Sequence, residues 1–287
     1  TFCAELNSTD FAAAAVALRH TSMFAGLRLY DVNLGDALVA MCECAKTSRT
    51  LETLTLSGVL ADPGLLKRSP AKALGEALAA GAASGALPLT DLDLSDNELR
   101  DAGVIAVGQL IASLKHGLRR LDLSRCHASA KGTSSLLLSM KGAGTRTCAS
   151  LEALRLGRNE IGVRSTSVLA ELLRHAGALQ ELDLRATGCA VRQVGHALQH
   201  GPGVRSLLAL HVCGNRLGRA DLASLLHLVC ASTQLQRLSV SRCGLEPEGV
   251  LALLQGMQLN PHLEQVSLDA SANPIGTLGA HLLAAAL

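Results

Sequence analysis

The stretch "LTDLDLSDNELRDAG", Leu89 to Gly103, decides the fold of this chain. It places leucines at alternate positions, Leu92 and Leu94, and then an asparagine at Asn97. Alternation of apolar and polar residues is typical of a short strand with one buried face. The next residues, "DAGVIAVGQLIASL", have apolar side chains at helical spacing. The stretch therefore predicts a strand, a turn and a helix in sequence.

The same pattern recurs about every 28 residues along the chain. Its consensus, Leu-x-x-Leu-x-Leu-x-x-Asn-x-Leu, is that of a leucine-rich repeat. Nine copies begin near Phe24, Leu51, Leu89, Leu118, Leu151, Leu179, Leu207, Leu235 and Gln265.

Stacking of these repeats predicts an α/β fold. The strands form a parallel sheet with a spacing of about 4.8 Å, whereas helix axes need about 8–10 Å between them. This mismatch predicts a curved solenoid, or horseshoe, with the sheet on the concave face and the helices on the convex face.

The asparagine position lies where the backbone leaves the strand, so backbone groups lose their ladder partners at a buried corner. An amide side chain there can satisfy both an N–H and a C=O group. Asparagine alternates with cysteine or threonine from the third copy onward, as in ribonuclease-inhibitor-type repeats, and two valines depart from this pattern. The turn positions are Val32, Val59, Asn97, Cys126, Asn159, Thr187, Asn215, Cys243 and Asn273.

The sequence predicts one leucine-rich repeat domain over residues 1–287, with about nine to ten repeats. Two insertions interrupt the period: "LADPGLLKRSP" in the second repeat, and "GAGTRTCAS" in the fourth, of which we interpret "GAGTRT" as a flexible connector. "STDFAAAAVALRH" predicts a helix with Asp10 as N-cap. Solenoids need polar caps, and because the sequence offers none, we expect a piece of a longer protein.

Composition limits the classes of function. Formal net charge is +2, so we expect no nucleic-acid partner, and no apolar run is long enough for membrane insertion. The nine cysteines, an odd number without a two-residue spacer pair, predict free thiols in a reducing, cytoplasmic environment.

Candidate catalytic and metal sites are weak, and the sequence predicts no enzyme and no cofactor. His196 and His200 lie four apart on a helix, but the sequence offers no third metal ligand beside them. Cys42 and Cys44 lie two apart in a helical segment, where side chains do not face each other. "GAGTRT" lacks the Lys-Ser/Thr of a phosphate-binding loop.

The outward strand residues are the remaining candidate site. One interpretation is a solvated sheet face with cross-strand charge pairs, and the other is a protein-binding surface, although hot-spot Trp and Tyr side chains are scarce. The candidate protein-binding residues are Asp91, Asp93, Arg120, Asp122, Arg155, Arg158, Glu181, Asp183, Arg237 and Arg242.

Three stretches resemble the leucine-rich domain of the CARMIL family, the capping protein, Arp2/3 and myosin-I linkers: "LKHGLRRLDLSRCHASAKGTSSLLLSM", "LDLRATGCAVRQVGHALQHG" and "LEQVSLDASANPIG". The resemblance covers roughly residues 89–287. It implies a non-catalytic actin-regulatory scaffold with protein partners, located in the cytoplasm. It further implies a membrane-binding domain before the repeats, a dimerisation segment after them and a basic tail that engages capping protein, all outside this chain.

Two alternatives use the same repeat: a GTPase-activating module resembling the Ran GTPase activators, and a ribonuclease-inhibitor-like recognition domain. Association of the full-length protein with the cytoskeleton or a membrane is left open.

Overall fold

A computed structural model describes residues 25–31, 47–59, 70–83 and 87–286. The predicted helix at residues 8–20, the turn position Val32, the pair Cys42 and Cys44, and residues 60–69 of the first insertion lie outside the described residues. The chain divides into two compact units, Thr1–Thr147 and Cys148–Leu287.

The first unit contains a parallel sheet in which each strand pairs with the next along the chain. Its helices pack on one another in the same order. The described elements are β1 (Gly26–Tyr30), β2 (Thr53–Ser57), α1 (Pro70–Ala83), β3 (Asp91–Asp93), α2 (Arg100–Ser113), β4 (Arg120–Asp122) and α3 (Ala130–Gly142).

The second unit repeats this arrangement with a parallel sheet of five strands, again paired in chain order. A short helix, α4 (Thr145–Ser150), spans the boundary between the units. The elements of the second unit are β5 (Ala153–Arg155), α5 (Gly162–Leu173), β6 (Glu181–Asp183), α6 (Val191–His200), a 3₁₀ turn (Pro202–Arg205), β7 (Ala209–His211), α7 (Arg219–Ala231), β8 (Arg237–Ser239), α8 (Pro247–Leu259), β9 (Ser267–Asp269) and α9 (Gly276–Ala286).

The predicted fold class is confirmed in each unit: leucine-rich repeats stack into a parallel sheet, and within the described residues a helix separates the successive strands from β2 to β4 and from β5 to β9. The register predicted for the first two copies is also correct, since Leu27 pairs with Leu54 and Leu54 with Leu92. The cores consist mainly of buried leucine, valine and alanine.

Two details differ from the sequence-based expectations. In α7 the helical spacing of the sequence predicts one buried face made of Leu222, Leu225, Leu226 and Val229. In the structure Leu222 and Leu226 are only half-buried, while Leu228 is buried. The side chains of Leu222 and Leu226 approach Gly249 and Gly256 of α8. They therefore pack beside the neighbouring helix, and the face toward the sheet is rotated.

The second difference concerns "GAGTRT", which we expected to be a flexible connector. Its last three residues begin α4, and Cys148 later in this helix is buried. Burial of that thiol gives the segment an apolar anchor, which a spacer of glycine and polar residues would lack.

Candidate functional site

The turn amide of Asn97 bridges two successive repeats of the first unit. Its Oδ1 accepts a hydrogen bond from the backbone N–H of Val59 at 2.9 Å. Its Nδ2 donates to the carbonyls of Leu56 at 2.6 Å and Leu94 at 2.9 Å. The side chain is buried, so it replaces water as partner for these backbone groups.

The second unit shows the same geometry. Oδ1 of Asn215 accepts hydrogen bonds from the N–H groups of Thr187 and Gly188, at 3.1 and 2.9 Å, and Nδ2 donates to Leu184 O and Val212 O. Asn273 bonds the repeat before it in the same way, through the N–H groups of Cys243 and Leu245. Nδ2 of Asn159, also buried, donates to Leu156 O at 3.1 Å.

The side chains at the positions between the asparagines donate hydrogen bonds to backbone carbonyls. The Cys126 thiol donates to Leu94 O at 3.2 Å, the Cys243 thiol to Val212 O at 3.4 Å and the Thr187 hydroxyl to Leu184 O at 2.9 Å. Burial raises the pKa of the Cys126 thiol far above its ordinary value and that of Cys243 to about 11. These thiols therefore stay protonated donors at neutral pH.

The residue before each turn position has a positive φ, a feature that the sequence analysis missed. The backbone N–H of this residue donates to a carbonyl of the next repeat, for example Arg158 N to Arg185 O at 2.6 Å and Arg242 N to Ser271 O at 3.0 Å. The values of φ are 59° at Arg158 and 53° at Arg242. Asp31, Gly58, Asp96, Arg125, Arg158, Ala186, Gly214, Arg242 and Ala272 share this conformation.

Four aspartates, each the last residue of its strand, accept a hydrogen bond from the backbone just beyond the strand end. The Oδ1 atoms of Asp93, Asp122, Asp183 and Asp269 each accept a hydrogen bond from the N–H group two residues later, at 2.9–3.1 Å. Such Asx turns let the strand end where the chain bends. These side chains therefore have a structural role, independent of any partner.

Asp183 departs furthest from the expected exposed position. Only 1% of it is accessible, because the Arg185 guanidinium covers its carboxylate with hydrogen bonds from Nε and Nη2. Gly157, two residues after β5, leaves the space, since an added Cβ would lie 3.0 Å from Asp183 Oδ1. The expectation that Asp183 is available to a partner is corrected, and Arg185, absent from the predicted set, is the exposed group at this place.

Other predicted site residues form cross-strand ion pairs. Arg120 contacts Asp91 at 3.2 Å, and Arg155 makes a bidentate contact with Glu181 at 2.6 and 2.7 Å. Hydrogen bonding by Arg155 lowers the pKa of the Glu181 carboxyl below its ordinary value. Partly exposed pairs of this kind contribute about 0.2–1 kcal/mol each.

A groove on the sheet face of the second unit, with a volume of about 750 Å³, is lined by the remaining arginines of the predicted site. We call it the arginine groove. Arg158, Arg237 and Arg242 line it, are exposed, and make no ion pair with any described residue. Its lining is Arg158, Arg185, Ala186, His211, Cys213, Gly214, Arg237, Leu238, Ser239, Ser241, Arg242, Ser267, Asp269 and Ser271.

Most other polar groups of the arginine groove are already hydrogen-bonded. The Ser239 hydroxyl donates its proton to Asp269 Oδ2 at 2.8 Å. The Cys213 thiol, 3.2 Å from Ser239 Oγ, therefore donates to Ser239 Oγ. Hydrogen bonds from Ser271 and Ser239 lower the pKa of the Asp269 carboxyl, whereas burial lowers the pKa of His211. At neutral pH the groove therefore presents unpaired guanidinium groups around a neutral imidazole and one engaged carboxylate.

Other candidates from the sequence do not assemble into a site. His196 and His200 are exposed on α6 with ring centroids 4.4 Å apart. In the part of the chain that the structure describes, no group of three or more His, Cys, Asp or Glu side chains is placed to hold a metal ion. No helix within the same residues has the length and apolar content to cross a membrane.

Comparisons with known proteins agree with this geometry. The family described as "Leucine Rich repeat" matches residues 87–108 and 231–254. Capping protein, Arp2/3 and myosin-I linker protein 3 of Rattus norvegicus is 29% identical over 284 residues, which cover 97% of this chain and 20% of that protein. The chain thus spans about a fifth of the length of this relative.

Two other relatives are similar over most of this chain. The ribonuclease inhibitor of Sus scrofa is 29% identical over 282 residues, covering 94% of this chain and 57% of the inhibitor. The Rho GTPase-activating protein gacW of Dictyostelium discoideum is 24% identical over 273 residues, which cover 94% of this chain and 23% of gacW. The chain has leucine-rich repeats similar to those of CARMIL proteins and ribonuclease inhibitors, and this similarity supports a protein-interaction domain.

Proposed function

We propose that this chain is a non-catalytic docking module of a CARMIL-like regulator of actin capping. The observation that carries the proposal is the sheet face of the second unit, where carboxylates are used in turns and ion pairs while three arginines remain unpaired. A surface whose free groups are donors is suited to binding a partner that presents acceptors.

The similarity to a capping protein, Arp2/3 and myosin-I linker over 97% of the chain supports the choice of partners. We therefore propose that a protein of the actin-capping or actin-branching machinery binds this module. We also propose that residues 1–287 act as one leucine-rich repeat domain of a longer cytoplasmic protein.

Binding to purified components tests the proposal. The chain is immobilised and incubated separately with capping protein, Arp2/3 complex and a myosin-I, with porcine ribonuclease inhibitor as the matched control of the same repeat class. We expect binding of at least one component by this chain and none by the inhibitor. Failure to bind all three would exclude the linker role.

A second assay separates docking from activity. When the chain is added to capped actin filaments, we expect barbed-end elongation to stay blocked, because its charges are dispersed and near balance. Renewed elongation would contradict the docking role and place the active residues on the repeats, among Arg120, Arg155, Arg158 and Arg237.

A GTPase-activating module is the alternative, because exposed unpaired arginines are the groups that activators supply in trans. Single-turnover GTP hydrolysis by a Rho-family GTPase and by Ran, with and without the chain, distinguishes the two functions. We expect no acceleration. Acceleration that disappears in a variant with Arg158, Arg237 and Arg242 changed to glutamine would replace the docking proposal.

A further inference from the structure

Three arginines of the arginine groove differ from other arginines of the sheet strands and turns, which contact carboxylates. Arg120, Arg125 and Arg155 each contact a carboxylate on a neighbouring repeat, and Arg185 covers Asp183. The guanidinium groups of the groove's other three arginines have no such partner. Their donors are directed to solvent in the free protein.

The charge of the groove is positive although the whole chain is close to neutral. Arg158, Arg237 and Arg242 contribute three positive charges, against the single exposed carboxylate of Asp269. That carboxylate already accepts hydrogen bonds from Ser239 and Ser271. The complementary ligand is therefore anionic, with carboxylate or similar groups that accept bidentate hydrogen bonds from arginine.

The spacing of the arginines indicates the shape of that ligand. Arg158 follows β5 and Arg242 follows β8, so three strand spacings, about 14 Å, separate them across the sheet. An extended peptide advances about 3.3 Å per residue, so that side chains four residues apart are about 13 Å apart and lie on the same side. Acidic residues at positions i and i+4 of an extended segment match the two arginines.

The same spacing disfavours a single small anion, whose oxygens lie within a few ångströms of one another. The strand positions of Arg158 and Arg242 are about 14 Å apart, which is farther than the oxygens of a small anion reach. The two repeats between them contribute Arg185, His211 and Cys213 to the groove, and these polar side chains fit a peptide segment.

We infer that the arginine groove binds an extended acidic segment of a protein partner, with carboxylates at positions i and i+4 meeting Arg158 and Arg242 and with Arg237, on the same repeat as Arg242, adding a third cation. The inference rests on the proposed docking function and assigns it a place and a partner chemistry. Exposed charged residues such as these arginines affect the association rate and the choice of partner more than the affinity.

A synthetic peptide tests the inference independently of the actin machinery. The probe is SESESESES, acetylated and amidated, and its neutral counterpart SQSQSQSQS is the control ligand. Binding to the full chain is followed by NMR titration of arginine Nε–Hε signals at 50 mM salt. We expect the acidic probe to shift the signals of Arg158, Arg237 and Arg242, and the neutral probe to leave them in place.

Two charge-matched variants provide the controls. Arg158→Gln/Arg237→Gln/Arg242→Gln should weaken binding of the acidic probe about tenfold, as expected from the loss of three exposed charge contacts. Arg164→Gln/Arg216→Gln/Arg219→Gln removes the same charge from exposed positions outside the groove and should retain the affinity of the wild type within about twofold.

The outcomes are distinct from those of the proposed function. No shift with the acidic probe, or equal weakening in the two variants, overturns the arginine groove as an acidic-segment site, even if an actin-regulatory protein still binds the chain. Phosphatidylserine vesicles are tested in parallel. Groove-dependent binding to vesicles without binding to the peptide overturns the inference in favour of a membrane ligand.

Discussion

Arg185 donates hydrogen bonds from Nε and Nη2 to the carboxylate of Asp183, two residues before it, at distances of 2.6–3.0 Å. The aspartate is buried beneath the guanidinium, whereas the arginine itself stays half-exposed. This pair decides which of the two charges a partner can reach on β6.

We expect Arg185→Ala to lower the free energy of unfolding by about 1–3 kcal/mol, because it removes the charged partner of a buried carboxylate. The loss stays below the cost of breaking a fully buried pair, since truncation lets water reach Asp183. Urea denaturation measures it, with the exposed Arg216→Ala as control, expected within about 0.5 kcal/mol of wild type. Equal midpoints for the two variants would refute the structural role of Arg185.

Asn215→Leu should cost about 3 kcal/mol of stability, because four backbone groups of two repeats lose their buried partner. Thr187→Val removes one hydrogen bond to a carbonyl and should cost about 1 kcal/mol. Thermal unfolding of both variants gives the comparison. Similar losses of stability in the two variants would show that the Asn215 amide contributes no more to stability than the Thr187 hydroxyl.

Asp101 makes stability depend on acid pH. Its carboxylate accepts hydrogen bonds from the Ser129 hydroxyl and N–H, at 2.7 and 2.8 Å, and this lowers its pKa below the ordinary value of 3.8. Because the folded state has the lower pKa, this contribution is present above pH 3.8 and is lost as pH falls through the folded-state pKa. The stability difference between wild type and Asp101→Asn should therefore be constant above about pH 5 and shrink below pH 3.8.

Denaturant unfolding at several pH values measures this difference, and Ser129→Ala is the control background. Without the Ser129 hydroxyl, the Asp101→Asn change should show a weaker pH dependence. An equally strong dependence in that background would assign the effect to another partner.

Thiol labelling should follow burial. At pH 8, iodoacetamide should modify the exposed Cys230 first, whereas Cys243, with a pKa of about 11, has only about one thiolate in a thousand molecules. Peptide mass spectrometry measures the order, which would be wrong if Cys243 reacted as fast as Cys230. In denaturant without reductant, we expect all nine cysteines to titrate as free; the six that the structure describes form no disulfide bond with one another.

The fold and its repeat register were predictable from sequence because each repeat encodes its own strand by leucines at fixed spacing, and burial of those leucines allows one register. The turn positions were visible for the same reason, as in Asn97 and Asn215. The candidate site was visible only as a row of charges. The residue types and strand positions of the site followed from the sequence. Which of its charged side chains can contact a partner did not.

Whether a charged side chain can contact a partner depends on contacts between neighbouring strands and within turns. These contacts leave no periodic pattern in the sequence. The tertiary structure buries Asp183 under Arg185, joins Arg155 to Glu181, and leaves Arg158 and Arg242 unpaired in left-handed turn positions. An arginine of a given strand looks the same in sequence whether the adjacent repeat supplies a carboxylate or not. The sequence alone determined the stacked repeats, and side-chain packing between repeats decided which charges remain for a partner.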